Sequence, residues 1–158
     1  MMLNKIPPCT SMASVLDHLE AETKYGSRNR AIFAIRQSLR IRDISQLLVS
    51  DVLGLDGKIK HCYISADGHV FRFDDQLKSE LQQYLLKRFN VSNDSLSSVL
   101  NESLLLPLFP TQKRDRFSNN TLAQHLSYLD KCIRSRFESR KSRKRSSWFE
   151  SLKESLAD

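Results

Sequence analysis

The side chains able to do chemistry in this sequence are mostly cations. Lys131, Arg134, Arg136, Arg140, Lys141, Arg143, Lys144 and Arg145 crowd one stretch against a single acid, Glu138. Residues 131–145 thus carry net +7, the whole formal charge of the 158-residue chain, and the remainder balances to zero. Each Lys or Arg that neutralises a phosphate releases counterions, so such a block suits a polyanion, double-stranded DNA above all. A solvated basic tail without a specific partner is the plainer alternative. A membrane surface fits less well, because no apolar face is interleaved with the charges. Other reactive groups are sparse. Cys9, Cys62 and Cys132 are far apart and odd in number, and they match no zinc spacing. They read as reduced, mostly buried thiols of a cytosolic protein, with no metal or cofactor expected. His69 reads as a lone surface histidine. His125 lies inside a helical pattern, and Tyr128 belongs to a packing face.

The elements that must position these groups follow from periodicity. Thr10 or Ser11 can cap a helix running to about Lys24, with Met12, Val15, Leu16 and Leu19 on one side. Gly26 and Ser27 end it. A second helix from about Arg28 carries Ala31, Ile32, Phe33, Ala34 and Ile35, apolar almost all round, and should be central. After a break near Ser38, a short helix over 43–48 turns Ile44, Leu47 and Leu48 inward. Residues 58–65 and 69–73 alternate around the Ala66-Asp67-Gly68 turn signal, which predicts an antiparallel hairpin. Val70 lies on one face of it, Phe71 and Phe73 on the other. Asp74 or Asp75 caps a helix with Leu77, Leu81, Tyr84, Leu85 and Phe89 in register. Residues 90–101, rich in Ser and Asn, read as a surface loop or short turn. Residues 104–110 read as a buried extended run, barred from helix by Pro107 and Pro110. Ser118 caps a further helix with Leu122, Leu126, Leu129 and Ile133, ending near Ile133. Trp148, Phe149, Leu152 and Leu156 then mark a short amphipathic helix. No stretch approaches the roughly 20 apolar residues of a membrane span, and residues 1–8 hold no signal-peptide core.

This order of elements, with the residues that fill it, resembles the catalytic domain of tyrosine recombinases, the phage-integrase family. Residues 38–47, Ser-Leu-Arg-Ile-Arg-Asp-Ile-Ser-Gln-Leu, with Ser50-Asp51-Val52 behind them, resemble the family's Gly-Leu-Arg-Ile-Ser-Glu-Leu box and its trailing Asp-Ile. Arg28-Asn29-Arg30-Ala31-Ile32 is similar to the Arg-Asp-x-Ala-Leu helix start. The run from Val70 to Leu77 resembles the strand-to-helix segment, and Pro107-Leu108-Phe109-Pro110 through Leu122 the Leu-Phe segment with its following helix. The likeness covers 10–133. It implies a mainly helical α+β fold: recombinase-like helices around a small antiparallel sheet. Residues 10–133 would form the recombinase-like domain, 134–146 a basic segment and 147–158 the terminal amphipathic helix. The family's separate DNA-clamping domain is not expected.

The same resemblance assigns chemistry. In that family a tyrosine attacks the scissile phosphate, two arginines and a histidine hold its free oxygens, and a hairpin lysine is the acid. Arginine suits the clamp because its planar fork offers parallel donors and keeps its charge. Arg40 stands at the first clamp position and Asp43 at its nearby acid, so Arg40 is expected on a DNA phosphate. An ion pair with Asp43 that merely holds the turn is the alternative. Arg42 falls at a variable position and should face solvent. The departures are as informative. The hairpin turn carries Asp67 where lysine is expected, and Lys58 and Lys60 lie too early on the strand. The His-x-x-Arg helix is missing, and residues 134–158 hold no His and no Tyr.

Losing several members of a catalytic unit costs orders of magnitude, so enzyme-level catalysis by this chain alone is not expected. The expectation is an inactive, integrase-like DNA-binding protein, an accessory or regulatory factor in recombination or integration. Arg40 and the eight cations of 131–145 would contact phosphates, with affinity near the non-specific range of roughly 10⁻⁴–10⁻⁶ M. The alternative is an interaction module docking through Trp148, Phe149, Leu152 and Leu156 on itself or on a complete recombinase. An enzyme completed by a tyrosine from a partner, or a decayed fragment that still folds, are lesser readings. The setting implied is cytoplasmic, nucleoid-associated, in a bacterium, phage or mobile element.

Overall fold

The computed structural model describes residues 11–92, 96–97 and 103–156, with side chains described as far as residue 137. Helix α1 (Met12–Glu22) starts where the Ser11 hydroxyl accepts from the Ser14 amide at 3.2 Å, and it buries Val15, Leu16 and Leu19. It stops two residues short of Lys24. Tyr25 adopts the left-handed conformation (φ 62°), and Gly26 opens α2 (Gly26–Arg36) instead of closing α1. A Cβ at Gly26 would stand 2.0 Å from the Glu20 carbonyl oxygen, so only glycine admits this close helix approach.

Helix α2 is central as its apolar run requires. Ala31, Ile32, Phe33 and Ile35 are buried, and the helix packs against α1, α5, α3 and α6. From its half-buried side, Arg30 joins three helices: Nη1 reaches Asp17 at 2.6 Å and Glu20 at 2.9 Å, while Nε reaches Glu80 at 2.7 Å. Two short helices follow, α3 (Ile41–Gln46) and α4 (Val49–Val52), with Ile44, Leu47, Val49 and Val52 buried.

Strands β1 (Cys62–Ile64) and β2 (Val70–Arg72) pair antiparallel, with Tyr63 opposite Phe71 and Ile64 opposite Val70. The alternation expected for the hairpin holds: Phe73 is buried and Val70 is exposed. Asp74 caps α5 (Asp75–Phe89) by accepting from the Leu77 amide at 2.7 Å, and Leu77, Leu81, Tyr84 and Leu85 face the core.

The 104–110 run departs from expectation in its first half. Leu105 is 82% exposed and Leu106 41%, whereas Leu108 and Phe109 are buried. The chain turns at Ser103–Leu106 and only then runs antiparallel beside α3 and α4. Pro107 has no N–H to give, so its neighbours supply the ladder: the Leu108 amide donates to Leu47 O at 2.9 Å and the Val49 amide to Leu106 O at 3.0 Å. Tyr84 Oη and Arg88 Nη1 also donate to the Leu108 carbonyl, at 2.7 and 2.8 Å.

Helix α6 (Asn119–Leu156) begins after Ser118, whose hydroxyl accepts from the Thr121 amide, and buries Leu122, Leu126, Leu129 and Ile133. It does not end near Ile133. Residues 119–156 contain neither Gly nor Pro, so nothing in the sequence stops the helix, and it runs on through the basic block. Tyr128 lies off its buried stripe and is 49% exposed, contrary to the packing role expected of it. Cys62 and Cys132 are free thiols, partly and not fully buried. Cys9 lies outside the described residues. No described helix is long and apolar enough to cross a membrane.

Candidate nucleic-acid interface

Arg40 is the residue that opens α3, in extended conformation (φ −76°, ψ 155°), so its side chain swings back over the first turn. Its Nε donates to Asp43 Oδ2 at 2.6 Å, and Asp43 is itself nearly buried. The Arg40 guanidinium also lies 5.4 Å from the Phe71 ring centroid, on the hairpin. The hairpin turn completes the cluster. Asp67 accepts from Arg40 Nη2 at 3.2 Å and from Arg42 Nη2 at 2.6 Å. It also accepts from the Ser65 hydroxyl, and His69 Nδ1 stands 3.2 Å away. These donors, the Ser65 hydroxyl first and then Arg40, hold the Asp67 carboxyl well below the usual carboxylate range. Asp43, then Asp67, push the Arg40 guanidinium up in turn.

Arg40 and the hairpin turn therefore meet, and what the turn brings to the arginine is a carboxylate. Where the recombinase resemblance calls for a cation on the turn, a carboxylate sits at the convergence of two arginines and a histidine. Asp67 was legible in the sequence only as a turn former; its two arginine partners lie 25 and 27 positions away. Arg42 is 56% exposed, as expected, yet it is ion-paired. Lys58 and Lys60 are exposed. His125 belongs to a different network, with its Nε2 at 2.7 Å from Asn29 Oδ1.

Of the cations expected on phosphates, Lys131, Arg134 and Arg136 are exposed on α6. Asp130, on the same turn, has its pKa raised by burial, an effect opposed by the nearby charges of Arg134 and Arg36. Arg140, Lys141, Arg143, Lys144 and Arg145 follow on the same continuous helix, and their side chains lie outside the described residues, as do those of Trp148, Phe149, Leu152 and Leu156. The eight basic positions fall within about four turns of that helix.

The helical layer around a two-stranded antiparallel sheet is a recombinase-like fold. The crystal structure of XerA recombinase superposes with a TM-score of 0.53 at 17% sequence identity, over 84% of this chain and 44% of that one. The chain thus spans less than half the length of that structure. No protein-family model matches the sequence, and no curated protein does.

Proposed function

We propose that this chain is a DNA-binding protein of recombination or integration that works as an accessory or regulatory factor and does not cut DNA by itself. The observation that carries the reading is α6: a helix that leaves a recombinase-like core at Ile133 and continues through a block of net +7. Cations gathered along one helix suit the DNA backbone, which positions a protein without specifying sequence. The lack of cutting rests on the cluster at the hairpin. Arg40, the one clamp arginine that the resemblance assigns, is held by Asp43 and Asp67, and the turn expected to present an acid for the leaving hydroxyl presents a carboxylate.

Fluorescence anisotropy with a labelled duplex across a salt series tests the reading. Binding should fall linearly on a log–log plot. The double variant Lys131→Glu, Arg134→Glu should flatten the slope by about 1.8, or 0.9 for each lost phosphate contact. Binding that ignores salt, or a slope unmoved by the charge reversals, would remove α6 from the interface. A supercoiled plasmid incubated with the protein should stay intact; nicking that survives stringent purification would overturn the inactive assignment.

A further inference from the structure

A second site, away from the Arg40 cluster, lies where the start of α2 meets the 111–117 loop and the first turns of α6. A cavity of about 570 Å³ opens there, within the range of small-molecule sites. Lys24, Arg28 and Lys113 line it, and no Asp or Glu does. Neither Lys24 nor Lys113 has a carboxylate partner among the described residues. The first turn of α2 carries no acid and no side-chain cap, so the local potential stays positive.

Arg28 is fixed as a flat plate. Its guanidinium lies 4.8 Å from the Tyr25 ring centroid and 5.4 Å from that of Phe117, and Nη1 donates to the Pro110 carbonyl at 2.9 Å. Its Nε–H is the only buried side-chain donor among the described residues without a partner. The remaining wall is aromatic. Tyr25 and Tyr128 are 44% and 49% exposed, large rings left open to the cavity. His125 adds an acceptor. Asn29 gives its amide hydrogens to Thr23 and the Lys24 carbonyl, so its Oδ1 faces His125 Nε2 as an acceptor. Nε2 therefore carries the hydrogen and Nδ1 the lone pair. Burial, then the Arg28 charge, lowers the His125 pKa to about 4 and keeps the ring neutral.

Exposed aromatic faces, cations without counter-ions and one neutral hydrogen-bond acceptor answer three parts of one ligand: a planar base, a phosphate and a base-edge donor. We propose that this cavity binds a single unstacked nucleotide, its base against the Tyr25 and Tyr128 rings and its phosphate beside Lys24 and Lys113. The nucleotide is either free or one extruded from a DNA strand. The site does not depend on the duplex-binding role of α6, and mononucleotide binding can be measured whether or not that role holds.

The test is a backbone-amide NMR titration of the full chain with thymidine 5′-monophosphate, thymidine and inorganic phosphate. Shifts should gather at residues 24–28, 111–117 and 125–128, and the nucleotide should bind about tenfold more tightly than either half, a difference of roughly 1.4 kcal/mol. Lys24→Glu with Lys113→Glu, both at exposed positions, should erase that advantage and leave the circular dichroism unchanged; Tyr128→Ser should weaken thymidine as well. Phosphate binding as well as the nucleotide, shifts confined to residues 131–145, or no shift at millimolar ligand would each overturn the proposal. A duplex with one extrahelical thymidine, compared with a fully paired one, then separates the sources. A preference lost in the double variant names the DNA-borne nucleotide. Equal binding, with the mononucleotide still bound, names the free one.

Discussion

Asp67 sits where Arg40 and Arg42 converge, and its charge decides what either arginine can offer to a phosphate. A carboxylate bonded by two guanidinium groups, a hydroxyl and a histidine occupies the kind of seat that a phosphate oxygen would take. Asp67→Asn should therefore raise duplex affinity, and about fivefold is the scale of an exposed ion pair removed from competition. Anisotropy at low salt measures it; affinity unchanged in a folded variant would take Arg40 and Arg42 out of the DNA contact. His125 gives a second expectation at this scale. Its pKa falls from 6.5 in the unfolded chain to about 4 in the fold, so the unfolded state binds more protons between those values. Stability contributed by the neutral ring is full above pH 6.5 and is lost as pH falls toward 4. Melting curves from pH 7 to pH 4 should show this decline, and His125→Gln should lessen it. Residues of this kind were only half legible. Arg40 and Asp43, three apart on one turn, could be paired from the sequence alone. Asp67 and Asn29 acquire their roles from partners on other elements, which no local pattern reveals.

Among the elements, the apolar stripes reported themselves well. Leu77, Leu81, Tyr84 and Leu85 keep helical spacing and are buried; so are Leu122, Leu126, Leu129 and Ile133. Boundaries were less faithful where the chain's conformation answers to a neighbour. Gly26 reads as a helix stop, but it is the first residue of α2, placed there because α1 passes too close for any Cβ. Gly26→Ala should cost about 1–3 kcal/mol by forcing the two helices apart. Chemical denaturation would check it, and a neutral result would show that α1 can slide. The 104–110 run misled in another way. Its leucines look like core, yet the turn at Ser103–Leu106 faces Leu105 outward, and the buried half begins only where the segment pairs with residues 47–49.

Among the described residues of the molecule, the buried hydrophobic ones run from Val15 to Ile133, with Phe137 packed against them, and the basic block begins only at Lys131. A chain ending at residue 137 should therefore keep its melting temperature within a few degrees, a shift of roughly 1 kcal/mol at most. It should also lose most of its salt-dependent DNA affinity. A collapse in melting temperature would show that the end of α6 folds back on the core. The recombinase-like fold brings Arg40 to the hairpin, where it meets the Asp67 carboxylate.

By itself, the sequence determined what local rules decide. Periodicity set which faces of α1, α2, α5 and α6 are buried, capping residues set where three helices begin, and the sequence gathered the net charge into one block. Tertiary structure decided what depends on residues meeting from afar. It made Asp67 the counter-ion of Arg40, and it placed Lys24, Arg28, Lys113 and three aromatic rings around one cavity. It also showed the basic block as a continuation of α6. The physical reason is range: hydrophobic periodicity and capping act within a few residues, whereas ion pairs and cavities are settled by which elements the core brings together.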